Sequence, residues 1–149
     1  MGIWRATRKQ GTFGCFEVTI GFGGTHRVDY LTYEPHRGRE AWYSIWRCYE
    51  VKSSKADFES TNGHTFVGHY NYYVLPMSVY EQVRHKIPRD VGAWVLKERG
   101  MKCVKRPRRR QSVDDETLQR SLIRSLYREV EKALHDRCQS KRSEQCVAT

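Results

Sequence analysis

The sequence predicts an α/β domain, a central sheet flanked by helices with one amphipathic helix at its C-terminus. Three observations carry this. Apolar residues alternate over 15–20 and 27–33, and the run 41–52 is apolar on both faces, as in a strand covered from both sides. Beyond it the pattern changes to helix, strand and helix, the alternation of an α/β core. Near the end, Leu118, Leu122, Leu126, Val130 and Leu134 step by four and mark one side of a helix. At 149 residues the chain is read as a core over 1–110 and a basic helix with a frayed polar tail over 111–149.

Residues 2–10 form a short helix anchored by Trp4 and ended by Gly11. In the first strand, Cys15 to Ile20, strict alternation sets Phe16, Val18 and Ile20 on one face and Glu17 on the other, polar one. Three glycines between Gly21 and Thr25 make a turn, so Arg27 to Tyr33 returns as a hairpin strand carrying Asp29. Glu34 to Glu40 is a polar loop and Ala41 to Lys52 the long third strand. Ser53 and Ser54 start a helical turn, which Asn62-Gly63 breaks. A compact strand lies within Val67 to Leu75, and Ser78 caps a helix whose buried side is Val79, Tyr80, Val83 and Ile87. Val91 to Leu96 and Met101 to Lys105 form an edge hairpin across Glu98-Arg99-Gly100. Ser112 and the acids at 114–116 open the last helix, with Arg120, Arg124, Arg128 and Lys132 as a basic outer face. That helix packs on the domain by default; packing on a twin subunit in a homodimer and lying along a duplex are the alternatives.

Composition narrows the function classes. The net charge is +10, and its excess lies late: 12 basic and 9 acidic residues over 1–96, against 15 and 8 over 97–149. Such a surface favours nucleic acid as partner. Lys102, Lys105, Arg106, Arg108, Arg109 and Arg110 put six basic residues within nine, suited to phosphate contact rather than base stacking. Five cysteines without a C-x-x-C pair indicate reduced thiols and a cytoplasmic protein, and no run is long and apolar enough for a membrane span or a signal peptide. Neither a zinc site nor a small-molecule cofactor motif is read; the glycine run lacks the spacing of a phosphate loop.

The chemistry gathers at Glu50-Val51-Lys52. On a strand, Glu50 and Lys52 share a face, and Asp29 on a neighbouring strand brings a second carboxylate. Two acids and a lysine around one point suit a hard metal ion and phosphodiester hydrolysis. With 11 Glu and 9 Lys, chance alone supplies roughly 0.7 Glu-x-Lys triplets, so the weight comes from the strand, the preceding Asp and the serines that follow.

Strands bearing Glu17, Asp29 and then Glu50-Val51-Lys52, followed by helix, strand and helix, resemble the PD-(D/E)XK nuclease superfamily, the restriction-endonuclease-like fold. More narrowly, Arg27-x-Asp29, Glu50-Val51-Lys52-Ser53-Ser54, Asp57-Phe58 and Asp90-Val91-Gly92 are similar to the MmcB-like group associated with DNA repair. The resemblance spans residues 15–96 and implies a mixed central sheet. It further implies that Asp29 and Glu50, with the Val51 carbonyl, hold Mg²⁺ or Mn²⁺, that Lys52 orients the attacking water, and that Glu17 is an accessory acid. Arg27, Lys55 and the basic run 102–110 are assigned to DNA contact. The implied activity is a metal-dependent endonuclease in DNA repair, recombination or the processing of structured DNA. A catalytically silent DNA-structure-binding module on the same fold is the alternative, and an adaptor binding protein through its basic helix the third.

Overall fold

The structure, a computed structural model, describes residues 2–98, 100–110 and 113–147. Its elements are α1 (Gly2–Thr7), β1 (Phe13–Thr19), β2 (Arg27–Arg37), β3 (Trp42–Val51), α2 (Lys55–Glu59), β4 (Tyr70–Pro76), α3 (Met77–Val83), β5 (Val91–Lys97), β6 (Gly100–Lys105) and α4 (Asp115–Val147). The six strands form one mixed sheet in chain order, as the α/β expectation required. β1, β2 and β3 pair antiparallel, β3, β4 and β5 parallel, and β6 returns antiparallel to β5. Each parallel pair needs a crossover, and α2 and α3 supply them.

Both faces of the sheet are covered. On one, Cys15, Leu31, Trp46 and Cys48 meet Leu118 and Leu122 of α4. Further along the same face, Tyr73, Leu75, Val91 and Ala93 pack on Phe58, Val79, Val83 and Ile87 of the crossover segments. On the other, Tyr30, Tyr49, Tyr72 and Val74 meet Ile3 of α1, with the rings of Tyr49 and Tyr72 stacked 5.1 Å apart. Ile3, not Trp4, is therefore the buried anchor of α1; Trp4 lies half-exposed beneath the Arg8 guanidinium.

Several local expectations are corrected. In β1, Cys15 and Val18 join the same core although strict alternation would separate them. Glu17 between them has φ +53°, a left-handed conformation that breaks the period of two. Residues 34–37 extend β2 instead of forming a loop; Pro35 is tolerated because β1 pairs no further than Tyr33, leaving that edge of β2 without a ladder. The fourth strand starts at Tyr70, after Gly68 has closed a turn on the Asn71 side chain. Ser78 lies inside α3, which begins directly after Pro76, a residue already at helix-compatible φ.

α4 departs most from its expected role. Leu118 and Leu122 are buried, whereas Val130 and Leu134 are more than half exposed. Arg124 and Arg128 do not form an outer face: Arg124 donates to the carbonyls of Thr19 and Gly21, and Arg128 to those of Phe16 and Glu17. Carbonyls freed by the irregular end of β1 attract these guanidinium groups toward the sheet. The helix also continues beyond Cys138, where a frayed tail was expected, to Val147. Ser112, the expected cap, lies outside the described residues; the Asp114 carboxylate accepts from the Thr117 amide at 2.8 Å instead.

Leu118 is fully buried, so Leu118→Ala is expected to cost about 2–5 kcal/mol in a urea melt, as large-to-small core changes do. Leu134→Ala, on the exposed half of the same helix, should stay within about 0.5 kcal/mol of the parent.

Candidate functional site

The site lies where β3 exchanges an antiparallel neighbour for a parallel one. The β2–β3 ladder ends at Tyr30↔Tyr49, and continuing its register by one residue sets Asp29 opposite Glu50. There the Asp29 side chain takes over from the backbone: its Oδ2 accepts from the Val51 amide at 2.8 Å. On the other side β3 stays tied to β4, with the Lys52 amide donating to the Val74 carbonyl at 2.9 Å. Two strands that part at this point leave a cleft of about 820 Å³. Asp29, Lys52 and Asp57 line it, with His26 and Arg27 from the β1–β2 hairpin and residues 61–65 opposite.

Glu50 is fully buried, and among the described residues neither of its carboxylate oxygens receives a well-formed hydrogen bond, although the Thr65 amide and the Asp29 carboxyl group lie near. Burial, reinforced by the Asp29 carboxylate, pushes its pKa up to about 8, against the opposing pull of the Lys52 ammonium and the Thr65 amide. The two carboxyl groups are close enough to exchange a hydrogen bond when one is protonated. Asp29 and Glu50 thus meet, as expected of strands joined in this register.

Lys52 is only 2% exposed. Its ammonium donates to the carbonyls of Asp57 at 3.1 Å and Asn62 at 2.5 Å and lies 3.7 Å from Asp57 Oδ1. Asp57 is fixed in turn, Oδ2 accepting from the Ser53 amide at 2.9 Å, and these contacts hold its pKa below the usual carboxylate range. Gly63 covers the pair. A Cβ at that position would lie 2.7 Å from Lys52 Nζ and 3.2 Å from Glu50 Oε2, and φ is +69°. Any side chain would push into the two charged groups, so the cover must be glycine. His64 braces the same loop: Nε2 donates to the Ser60 carbonyl at 2.7 Å, leaving Nδ1 of the neutral ring to accept from the Tyr73 hydroxyl at 2.6 Å. Tyr73 is itself pushed up to about 12 by burial and by Glu50.

The remaining expected site residues are scattered. Glu17 is exposed, faces Arg27 at 3.9 Å and does not line the cleft. Arg27 and the exposed Lys55 lie at the cleft end of the sheet. Lys102, paired with Val95 near the end of β5, reaches that level on the far edge of the sheet, but the rest of the basic run does not. The Arg108 amide bonds the Asp90 carbonyl before β5 and the Arg110 amide the His69 carbonyl before β4, so the run crosses the starts of the parallel strands while the cleft sits at their far ends. Lys105 turns inward to the carbonyls of Ile87, Pro88 and Val91, burial lowering its pKa, and Arg110 pairs with Asp90 at 2.7 Å. Lys102, Arg106, Arg108 and Arg109 remain exposed.

Asp57 and Gly63 were not singled out as site residues from sequence. Ser54-x-x-Asp57, the signature of a capped helix start, and the turn dipeptide Asn62-Gly63 were the available signals. Among the described residues no group of three or more His, Cys, Asp or Glu side chains has metal-holding geometry. Any cation here would therefore draw on the two carboxylates and backbone oxygen. Among the described residues no helix is long and apolar enough to cross a membrane.

No protein-family model matches the chain, and no curated protein matches it. Among solved structures it is similar to a protein of unknown function from Silicibacter pomeroyi, with a TM-score of 0.57 and 19% identity over 88% of this chain and 80% of that one. At this identity the likeness shows the fold alone.

The folded protein keeps the Glu50 proton up to about pH 8, while the unfolded chain releases it near 4.5. Between these values the folded state holds more protons, so this group's contribution to stability falls as pH rises. In chelator-containing buffer above pH 8, Glu50→Gln is expected to melt several degrees higher than the parent, and the two should converge below about pH 5.

Proposed function

We propose that the chain is a metal-dependent phosphodiesterase acting on DNA, a nuclease of the PD-(D/E)XK kind working in DNA repair, recombination or the processing of structured DNA in the cytoplasm. The observation that carries this reading is the fully buried Glu50, its two oxygens without a well-formed hydrogen bond among the described residues, beside the Asp29 carboxylate at the rim of a cleft. A carboxylate left unsatisfied inside a protein is costly, and a cation offsets that cost directly. The donor set fits a hard divalent ion: Glu50, Asp29 Oδ1, which the Val51 amide leaves free, and the Val51 carbonyl are all oxygens.

Bound there, Mg²⁺ or Mn²⁺ would supply polarisation of a phosphoryl oxygen and a lowered pKa for water. The chain's own groups do the rest. Asp29, by holding the Val51 amide, fixes the end of β3 and with it the direction of Glu50 and Lys52. Lys52 places a positive charge beside the position where the phosphorane charge develops and orients the water that attacks phosphorus as the P–O bond to the leaving oxygen breaks. Asp57 and Asn62 hold that ammonium in place through their carbonyls. Gly63, lying over both groups, shields them from bulk water, which strengthens each charge interaction beneath it.

A non-cleaving DNA-binding module is favoured by one observation: the Lys52 ammonium already has two carbonyl partners and so has a purely structural use. Incubation with supercoiled plasmid and synthetic junctions separates the readings. Cleavage with Mg²⁺ or Mn²⁺, abolished by EDTA and lowered at least about a hundredfold in Asp29→Asn, Glu50→Gln and Lys52→Ala, supports the nuclease. Cleavage that persists undiminished in Lys52→Ala removes catalysis by this site, and binding without cleavage establishes the module.

Gly63→Ala brings a methyl group against Lys52 Nζ at a left-handed φ. It is expected to lower cleavage at least about tenfold while the melting temperature falls by only a few degrees, the cost of one strained surface position.

A further inference from the structure

The end of the sheet opposite the cleft gathers a second set of functional groups. β3, β4 and β5 are parallel and start there, and the β2–β3 hairpin turns there at residues 38–41. Trp42, the first residue of β3, is 70% exposed, and Phe13, the first of β1, is 53% exposed. Their strands also carry Trp46 and Cys15, which with Leu31 face α4; even spacing along β3 puts Trp42 on the Trp46 face, and spacing along β1 puts Phe13 on the Cys15 face. The two rings therefore belong to one face. Arg37 pairs in register with Trp42, which places an exposed guanidinium on that face beside it. On strand spacing the rings lie about 16 Å apart, the reach of two or three nucleotides.

The basic run arrives at the same end. It crosses the start of β5 at Asp90 and then that of β4 at His69, heading for β3, where the His69 ring accepts from the Trp46 amide at 3.0 Å. Arg108 and Arg109 ride on it exposed, and neither enters an ion pair among the described residues. Asp90 is neutralised by Arg110 and Glu34 by Lys9 and Arg47, which leaves Glu40 as the exposed acid of the hairpin turn. Exposed rings interleaved with unpaired cations make a platform for unstacked bases and their phosphates. In a duplex the bases are already stacked on one another and offer no face to Trp42 or Phe13.

We propose that this end of the sheet binds single-stranded DNA, with Trp42 and Phe13 stacking on bases and Arg37, Arg108 and Arg109 contacting phosphates. The substrate of the cleft would then be DNA with an unpaired segment, held on strand spacing about 16 Å from Glu50 at Phe13 and about 26 Å at Trp42. To that extent the proposal rests on the nuclease reading, but the binding surface does not.

The test measures binding by the full chain, in EDTA, of labelled oligothymidine of about 20 nucleotides and of a duplex of equal length. The ring variant Trp42→Ala/Phe13→Ala is expected to weaken the single strand about tenfold or more and the duplex less than about twofold. Trp42→Phe should retain most of the affinity. Arg108→Ala/Arg109→Ala should weaken both and lower the slope of log affinity against log salt by about 1.4 units for the single strand and about 1.8 for the duplex. Parental affinity for oligothymidine in the ring variant, or binding of duplex alone by the parent, overturns the proposal. Since EDTA removes cleavage from every arm, binding without any later cleavage sinks only the nuclease reading. Cleavage that needs no ring, on any substrate, overturns the assignment of unpaired DNA as the cleft's substrate and leaves the nuclease reading standing.

Discussion

The bond from the Val51 amide to Asp29 Oδ2 is the constraint on which the rest of the site depends. An amide at the end of a strand must find an acceptor, and β2 stops pairing one residue too early to offer a carbonyl. The aspartate fills that place, and so is drawn against Glu50. On its other side β3 continues with β4 to Val51 and beyond, through the Lys52 amide. One neighbour leaves while the other stays, and the gap between them is the cleft. The hairpin partner and the crossover partner of β3 have different destinations, which lets the sheet open here, whereas β5 keeps both its parallel and its antiparallel neighbour to its end.

The same topology separates two charged regions that lie close in the mind of anyone reading the sequence. A strand runs from one end of the sheet to the other, so residues before β4 and β5 cannot be near residues after β3. The arm that carries Arg108 and Arg109 is pinned by its amides to carbonyls at the starts of β5 and β4, which fixes it at the far end. Lys105 and Arg110 do not reach out for phosphate; they turn back on carbonyls and on Asp90. Charge counted along a sequence overstates charge available on a surface, and α4 repeats the point with Arg124 and Arg128.

What was legible in the sequence follows from what is periodic. The two apolar faces of β3 fixed a central strand, and Ser54 before Lys55–Glu59 fixed a cap whose hydroxyl accepts from the Asp57 amide. Asp29 and Glu50 could be placed side by side because register follows once two strands are known to be neighbours. The phase of β1 could not, since a single left-handed residue at Glu17 inverts it and glutamate gives no warning of positive φ. Nor could the reach of α4, whose leucine stripe continues past the sheet it packs on: periodicity reports which side is apolar, not what stands opposite. Gly63 was visible only as a turn, because what it covers comes from a different strand.

Energetics distinguish a site from a scaffold here. A fold selected for stability alone gains nothing from a buried carboxyl group that receives no well-formed hydrogen bond among the described residues, set beside a second carboxylate. An apolar residue of the same volume would fill the position at lower cost. Lys52 only partly offsets that cost, since its ammonium spends its hydrogen bonds on two carbonyls and not on Glu50. Glu50 stands behind the cleft-lining Asp29 and Lys52 at one strand end; the other buried groups without a partner among the described residues, such as the indole N–H of Trp46 and Trp94 and the Thr32 hydroxyl, carry no carboxyl group. An ionisable group is the costliest of these to leave unpaired, and its place behind a cleft, beside a second carboxylate, is the physical mark of a position held for chemistry. The particular rule broken, a buried carboxyl group that resists ionising because no hydrogen-bonded cation offsets its charge, says which kind of ligand would restore the balance.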